Sequence, residues 1–533
     1  MTRAQTLFGK RQRIGTAALL LSACSFLSVF IGLARDKVIS WQFGAGAETD
    51  MYFAAFVVPD SINYLLAGGL MVITIIPLLS RRFQEDETDA WRFFSCIFCW
   101  MLTAATILTL CGVLAAEHLA RLIAPGFTPE KCARLAFFMR IILPGQIFFL
   151  CGACVTALLY IRRQFIPSAL APIIYNASII SCGVLLPQIL PVEGMTGYCI
   201  GVTLGAFLGA FLIPLRTALS RGMPLRPGWR HPLLGKLLLT SLPLLLGITI
   251  VMLDEQFLRV FGSLAGEGVV SLLAYARRVA QVPVKLVGQA AAAASYPFLV
   301  LLLTSGDNEG FERTLRSALN ATLGIIIPCA IWMTVQALPI LCAIFQGGRF
   351  TPEDTQAATL LAQILLAPTP LWVVYALLAR GFYARGDTVT PALTGSVATL
   401  LCLPCYYYWA VPAGAWAIAA VSATGISLYV LWLVGLWIKR YGAEVFSGLP
   451  AFCARTAACA LPGAALSGWI SEYCLRALPY HPLVAACIAL AVGGCVFALT
   501  FLPLAHIFAP SVTQTVLRYF LKKDKPADHG NHL

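Results

Sequence analysis

The chain has 533 residues, of which 59% are hydrophobic and only 11% charged, with a formal net charge of +13. Apolar runs of about twenty residues, the length a helix needs to cross a bilayer, recur from end to end, and the loops between them are too short to form a soluble domain. That pattern excludes a soluble enzyme with one anchor, and without a basic stripe interleaved with aromatics it excludes nucleic acid as a partner.

Taken in chain order, the first apolar run follows Arg3, Lys10, Arg11 and Arg13 and continues past Ser28 without a small-residue cleavage site. It therefore reads as a first span and not as a signal peptide. Apolar runs bounded by charge or by Pro/Gly clusters predict fourteen spans, centred near residues 24, 65, 102, 147, 177, 206, 249, 285, 324, 369, 400, 425, 462 and 493. The expected fold class is an all-α polytopic membrane protein. Most of the 37 Lys and Arg residues fall on alternate segments, while the others carry only Arg35, Lys37, Arg121, Lys131, Arg134, Arg349 and Arg476. Cationic loops stay inside, so both termini are expected in the cytoplasm, and the positive charge also suits contact with anionic membrane lipids.

Eighteen cysteines include two C-x-x-C pairs, Cys96 with Cys99 and Cys151 with Cys154, but all six histidines lie in loops or tails. Small polarizable packing residues are the reading these cysteines favour, and nothing calls for a metal or another cofactor.

An internal repeat is legible. Phe-Thr-Pro-Glu occurs at Phe127 to Glu130 and again at Phe350 to Glu353, an offset of 223. Tyr160 with Tyr383, Pro167 with Pro391, Pro59 with Pro283 and Arg35 with Arg259 keep that offset within one residue. Spans 1–6 and 7–12 then read as two copies of a six-helix unit. An even number of spans gives both copies the same orientation, the parallel-repeat plan of alternating-access transporters. The expected division is an N-terminal lobe over 1–220, a C-terminal lobe over 221–445, and spans 13 and 14 with a tail over 446–533. Thr128 and Thr351 are expected to cap helices whose first turns hold Pro and Glu. Pro59, Pro283, Pro144 and Pro368 are expected to bend helices where a cavity opens.

Span 8 raises the sharpest question, because Arg277, Arg278 and Lys285 sit in an otherwise apolar stretch. Each cation at the centre of a span costs roughly +2.5 to +3.5 kcal/mol on insertion scales, so the three are expected to face a polar interior, a counter-charge or an interface. Arg278 and Lys285, two turns apart, share a face, whereas Arg277 points toward a neighbouring helix. Asp254 and Glu255 in span 7 are the nearest counter-charges; a static pair with Arg277 or Lys285 and a role in coupling to a proton or cation are both open to them. Arg278 and Lys285 are expected to bind a phosphorylated headgroup, Arg as a bidentate fork and Lys as a point charge. Asp36 and Asp50 near the outer ends of spans 1 and 2 are candidates to pair with Arg35 and Lys37 as a gate, with solvated loop pairs as the bland reading. The small residues of spans 13 and 14 read as close packing, with a lipid-tail groove as the alternative.

Five stretches together resemble a known family: "GLARDKVISWQFGAGAETDMYFAAFVVPD" (32–60), "YIRRQFIPSALAPIIYN" (160–176), "AYARRVAQVP" (274–283), "IFQGGRFTPED" (344–354) and "ARGFYARGDTVTP" (379–391). They are similar to the MurJ (MviN) lipid II flippases of the multidrug/oligosaccharidyl-lipid/polysaccharide exporter superfamily. The resemblance runs from about residue 14 to 440. It implies flipping of an undecaprenyl diphosphate-linked peptidoglycan precursor across the cytoplasmic (inner) membrane, in company with cell wall synthesis machinery. It also implies that Arg35, Arg259 and Arg278 engage the diphosphate and that Asp36 and Asp50 match family positions. The chain departs from the family where Val29, Asn63 and Tyr64 stand in place of arginines, where Gly68 replaces a glutamate and where Tyr406 replaces a polar residue late in span 11. Export of another polyprenyl-linked glycan is the nearest alternative, and three other classes compete with it. A drug or small-cation exporter would want anionic cavity residues to dominate, a glycosyltransferase would want paired carboxylates on a loop at the membrane, and a scaffold that keeps the fold without transport would tolerate the missing arginines.

Overall fold

A computed structural model describes residues 14–64, 75–224, 226–237, 239, 250–477 and 481–510. Among these residues every extended element is a helix, and strand-like pairing is limited to one isolated bridge between Gly347 and Phe350. Ten helices are long and apolar enough to cross a membrane, eleven when Pro352–Leu366 and Thr369–Ala384, bent by 41°, count as one span. All eleven coincide with predicted spans, and Ile14–Phe43 occupies the first. The predicted spans near 65 and 249, and Gly68 with them, lie partly or wholly outside the described residues. The chain is an all-α polytopic membrane protein.

Backbone hydrogen bonding explains this economy, since an apolar chain in lipid must satisfy its N–H and C=O groups within each segment. The two copies of the repeat break at matching places. Ala116–Ile123, Pro129–Ile142 and Gly145–Ile161 in the first copy correspond to Ala337–Ile344, Pro352–Leu366 and Thr369–Ala384 in the second. Thr128 Oγ1 accepts from Lys131 N at 3.4 Å, and Thr351 Oγ1 accepts from Asp354 N at 3.1 Å while Asp354 Oδ2 accepts from Thr351 N at 2.9 Å. Those reciprocal bonds form a capping box at the second copy. Pro144 and Pro368 stand at the following breaks, where a missing N–H interrupts the helical ladder. Three π-helical segments, Ala206–Leu212, Val284–Gln289 and Tyr406–Ala410, widen spans 6, 8 and 11.

By contact the chain gathers into two compact units, one comprising residues 1–275, 347–354 and 395–421, the other 276–346, 355–394 and 422–533. In the first, Phe93, Phe94, Ile97, Leu150, Val155 and Leu158 form a buried cluster. In the second, Trp437 stacks on Phe311 and meets Phe382 edge-on, while Arg385 lies over Phe311, Trp437 and Tyr441 with ring distances of 4.8, 5.6 and 4.3 Å. Spans 13 and 14, Leu449–Ala477 and Pro482–Phe508, bury Cys459, Ala460, Gly463 and Ala464 on one and Ala485, Ala486, Ala489 and Gly493 on the other. Small residues let these backbones approach. A polar clamp then joins both to span 9: buried Gln336 donates through Nε2 to Ser467 Oγ and Ser471 Oγ, which donate to the Gly493 and Ala489 carbonyls. The small-residue faces serve packing.

Candidate functional site

Arg35 lies on the Ile14–Phe43 helix. Its guanidinium donates to the adjacent Asp36 Oδ1 at 2.6 and 2.9 Å and, through NH1, to Asn176 Oδ1 at 3.0 Å. Asn176 is held in turn by its Nδ2 donating to the Pro172 carbonyl one turn earlier, at 2.9 Å. Asp36 is buried, so this arginine is clamped against one acid and one neutral amide.

Arg259, its counterpart in the repeat, sits on Ile250–Ala265 and is more heavily bound. NH2 donates to Glu255 Oε1 at 2.7 Å across one helical turn, and NH1 donates to Asp60 Oδ2 at 2.8 Å and Gln256 Oε1 at 3.2 Å. Asp254 is buried on the same helix. Glu255 Oε1 meets Arg259, as the i, i+4 spacing favours, a contact that sequence reasoning had not named. Asp60 and Asn176 were missed, although both stand inside quoted motifs and an acid beside Pro59 in a span is itself a signal.

Asp50 turns toward a helix start and not toward Arg35 or Lys37. Its carboxylate is fully buried, Oδ2 accepting from Gly268 N at 2.6 Å and Oδ1 accepting from Ser271 N at 2.7 Å and Ser271 Oγ at 2.8 Å. Those donors open Val269–Pro283, so an acid from span 2 caps span 8 and meets the positive end of its dipole.

Within the second unit, Arg277 is buried with its guanidinium 5.1 Å from the centre of the Trp372 ring, the neighbouring-helix placement expected for it. Arg278 is half-buried and Lys285 exposed. Pro283 and the π turn Val284–Gln289 separate those two, with Lys285 on the π turn itself. Tyr406 is buried in the first unit, stacked on Phe261 at 4.7 Å, so the departure there fills a core position.

Comparison with known proteins bears on this constellation of paired and aromatic-backed arginines. The family model described as lipid II flippase MurJ matches residues 39–488. The chain belongs to the lipid II flippase MurJ family. A probable lipid II flippase MurJ of Vibrio cholerae is 27% identical over 403 residues, 73% of this chain and 76% of that protein. A lipid II flippase MurJ of Burkholderia cenocepacia is 27% identical over 70% of this chain and 74% of its own length. Among solved structures, a lipid II flippase MurJ in an inward closed conformation superposes with a TM-score of 0.75 at 20% identity, covering 93% of this chain and 100% of that one. An inward-facing multidrug resistance MATE family transporter of the MOP superfamily reaches 0.63 at 16% identity, over 80% of this chain and 99% of that one. These structures show the fold.

Proposed function

We propose that the chain translocates lipid II from the inner to the outer leaflet of the cytoplasmic membrane, with both termini in the cytoplasm. The observation that carries this is the family match running through residues 39–488. Transport by alternating access between lobes 1–220 and 221–445, with 446–533 appended, follows from the repeat and from the matched break points of its copies. Cargo delivered to the outer leaflet is the substrate of cell wall synthesis machinery, the partner class this reading entails. No covalent step is assigned to the chain.

In this reading Arg278 and Lys285 bind the diphosphate of the headgroup. Their support is chemical: two cations in an otherwise apolar span, one half-buried and one exposed on a π turn. Arg35 and Arg259 already face carboxylates, so phosphate contact by either requires exchange of an acid for a phosphate oxygen. That exchange makes Asp36 and Glu255 release groups, with Asp254 and Glu255 the acids through which a cation or proton enters the cycle. Asp50, as the cap of span 8, is the gate element, since making or breaking its three bonds sets the helix that carries Arg278. Export of drugs or small cations is disfavoured by the sequence-family match, although two of the neighbours are named as multidrug resistance MATE family transporters.

The test is replacement of a bacterium's own flippase by this chain, scoring viability and outer-leaflet lipid II. Rescue by the wild type with at least a tenfold loss in Arg278→Ala is expected. Full rescue by that variant removes Arg278 from the site, and no rescue by the wild type overturns the substrate.

A further inference from the structure

A cavity of about 610 Å³ lies among the chain segments near Phe43 to Glu48, Arg134, Glu193 with Gly194, and Arg349. All belong to the first compact unit, and none is among the residues assigned above, although Ala47 and Glu48 open the helix that carries Asp50. Its volume is that of a small-molecule site. One pair of its charges is committed: Arg134 Nε donates to Glu48 Oε1 at 3.1 Å, Arg134 NH2 donates to the Glu193 carbonyl at 3.0 Å, and Glu48 Oε2 accepts from Met195 N at 3.1 Å. Gly194, at φ +56°, passes so close that a Cβ there would stand 2.4 Å from Glu48 Oε2. The other two charges are uncommitted. Among the described residues no carboxylate pairs with the Arg349 guanidinium and no cation pairs with the Glu193 carboxylate. The main chain of Arg349 is nonetheless fixed, its N–H donating to the Trp41 carbonyl at 2.9 Å and its own carbonyl closing on Gly44.

A cavity that presents one unneutralised cation and one unneutralised anion over a closed ion pair is complementary to a zwitterion and to neither charge alone. We propose that this cavity binds the end of a peptide bearing a free carboxylate and a free amine, the carboxylate on Arg349 as a bidentate partner and the ammonium on Glu193. Placement of the cavity on the outer side of the membrane rests on the orientation given under Proposed function; the binding chemistry does not.

The full-length chain in lipid nanodiscs, titrated with alanyl-alanine and followed by ligand-observed NMR, tests the assignment. The free dipeptide is expected to bind, with N-acetylation or C-amidation each weakening it at least tenfold. Arg349→Gln should weaken the free dipeptide tenfold and leave the amidated form unaffected, while Glu193→Gln should do the same with the acetylated form as its indifferent control. Gly46→Phe provides a variant expected to fold, because Gly46 has an extended backbone at φ −143° and nothing within 4 Å of an added Cβ, and it should abolish binding by filling the space. No binding by the wild type, equal binding of the capped dipeptides, or unchanged binding by Gly46→Phe would overturn the proposal. Rescue of the flippase strain without dipeptide binding sinks the cavity alone; dipeptide binding without rescue sinks the transport reading alone.

Discussion

Arg35 and Arg259 occupy equivalent places in the two copies of the repeat, yet their surroundings differ in charge. Arg35 and Asp36 cancel, with neutral Asn176 completing the site. Arg259 faces both Glu255 and Asp60, two carboxylates on one guanidinium where Arg35 meets one. A repeat fixes where a side chain stands along a helix and leaves its partner to whichever neighbour the second copy supplies. The cluster around Arg259 is therefore a knot that crosslinks the chain, while the site of Arg35 has no acid beyond its own neighbour.

The most damaging way to break the comparison is Arg259→Ala. Removing this mostly buried guanidinium takes from Glu255 and Asp60 the cation both face, a loss of at most about 3–5 kcal/mol on the scale for buried pairs and less for carboxylates that are 30–32% exposed. A sharply lower melting temperature is expected, read by intrinsic fluorescence in nanodiscs; an unchanged melt with impaired flipping would instead make Arg259 a ligand. Next in size is Asp50→Ala. It strands the buried Gly268 and Ser271 N–H groups, each worth about 1–3 kcal/mol when orphaned, and should speed hydrogen exchange at the start of Val269–Pro283. Exchange unaltered there would remove Asp50 from its capping role.

How much of this was legible depends on range. The Thr128 and Thr351 caps and the breaks at Pro144 and Pro368 were readable because the residues that make them are a turn apart. The Glu255 and Arg259 pair obeyed an equally local rule and could have been named from its spacing. Asn176 lies 141 residues from Arg35, and Asp60 lies 199 from Arg259. Asp50 reaches 218 residues to Gly268. Nothing in periodicity chooses such partners, because burial favours any carboxylate or amide that arrives near a cation. The π turn after Pro283 was hidden for another reason: proline predicts an interrupted ladder but not the direction in which the helix rewinds.

Asn176→Ala sharpens the comparison with a smaller expected effect. It deletes one hydrogen bond to a charged group, about 1.5–3 kcal/mol, and leaves the Arg35 and Asp36 pair intact. Asn176→Asp goes further, giving Arg35 a second acid and the charge balance of the Arg259 cluster. If partner charge is what fixes these arginines, that variant should melt no lower than wild type and lose flipping; a melt as low as that of Asn176→Ala would show that geometry outweighs charge.

The smallest effect comes from the same chemistry outside the membrane. Lys131 Nζ stands 2.5 Å from Glu267 Oε2, and this hydrogen bond, more than the charge alone, holds the Glu267 carboxyl below its ordinary value. The glutamate is more than half exposed, so the pair contributes at most about 1 kcal/mol. A depressed folded-state value means the contribution is complete above the ordinary carboxyl range and fades as pH falls through the lowered one. Melts of wild type and Lys131→Gln should thus differ slightly at pH 7, begin to draw together below about pH 4, where free glutamate protonates, and coincide only below the lowered value.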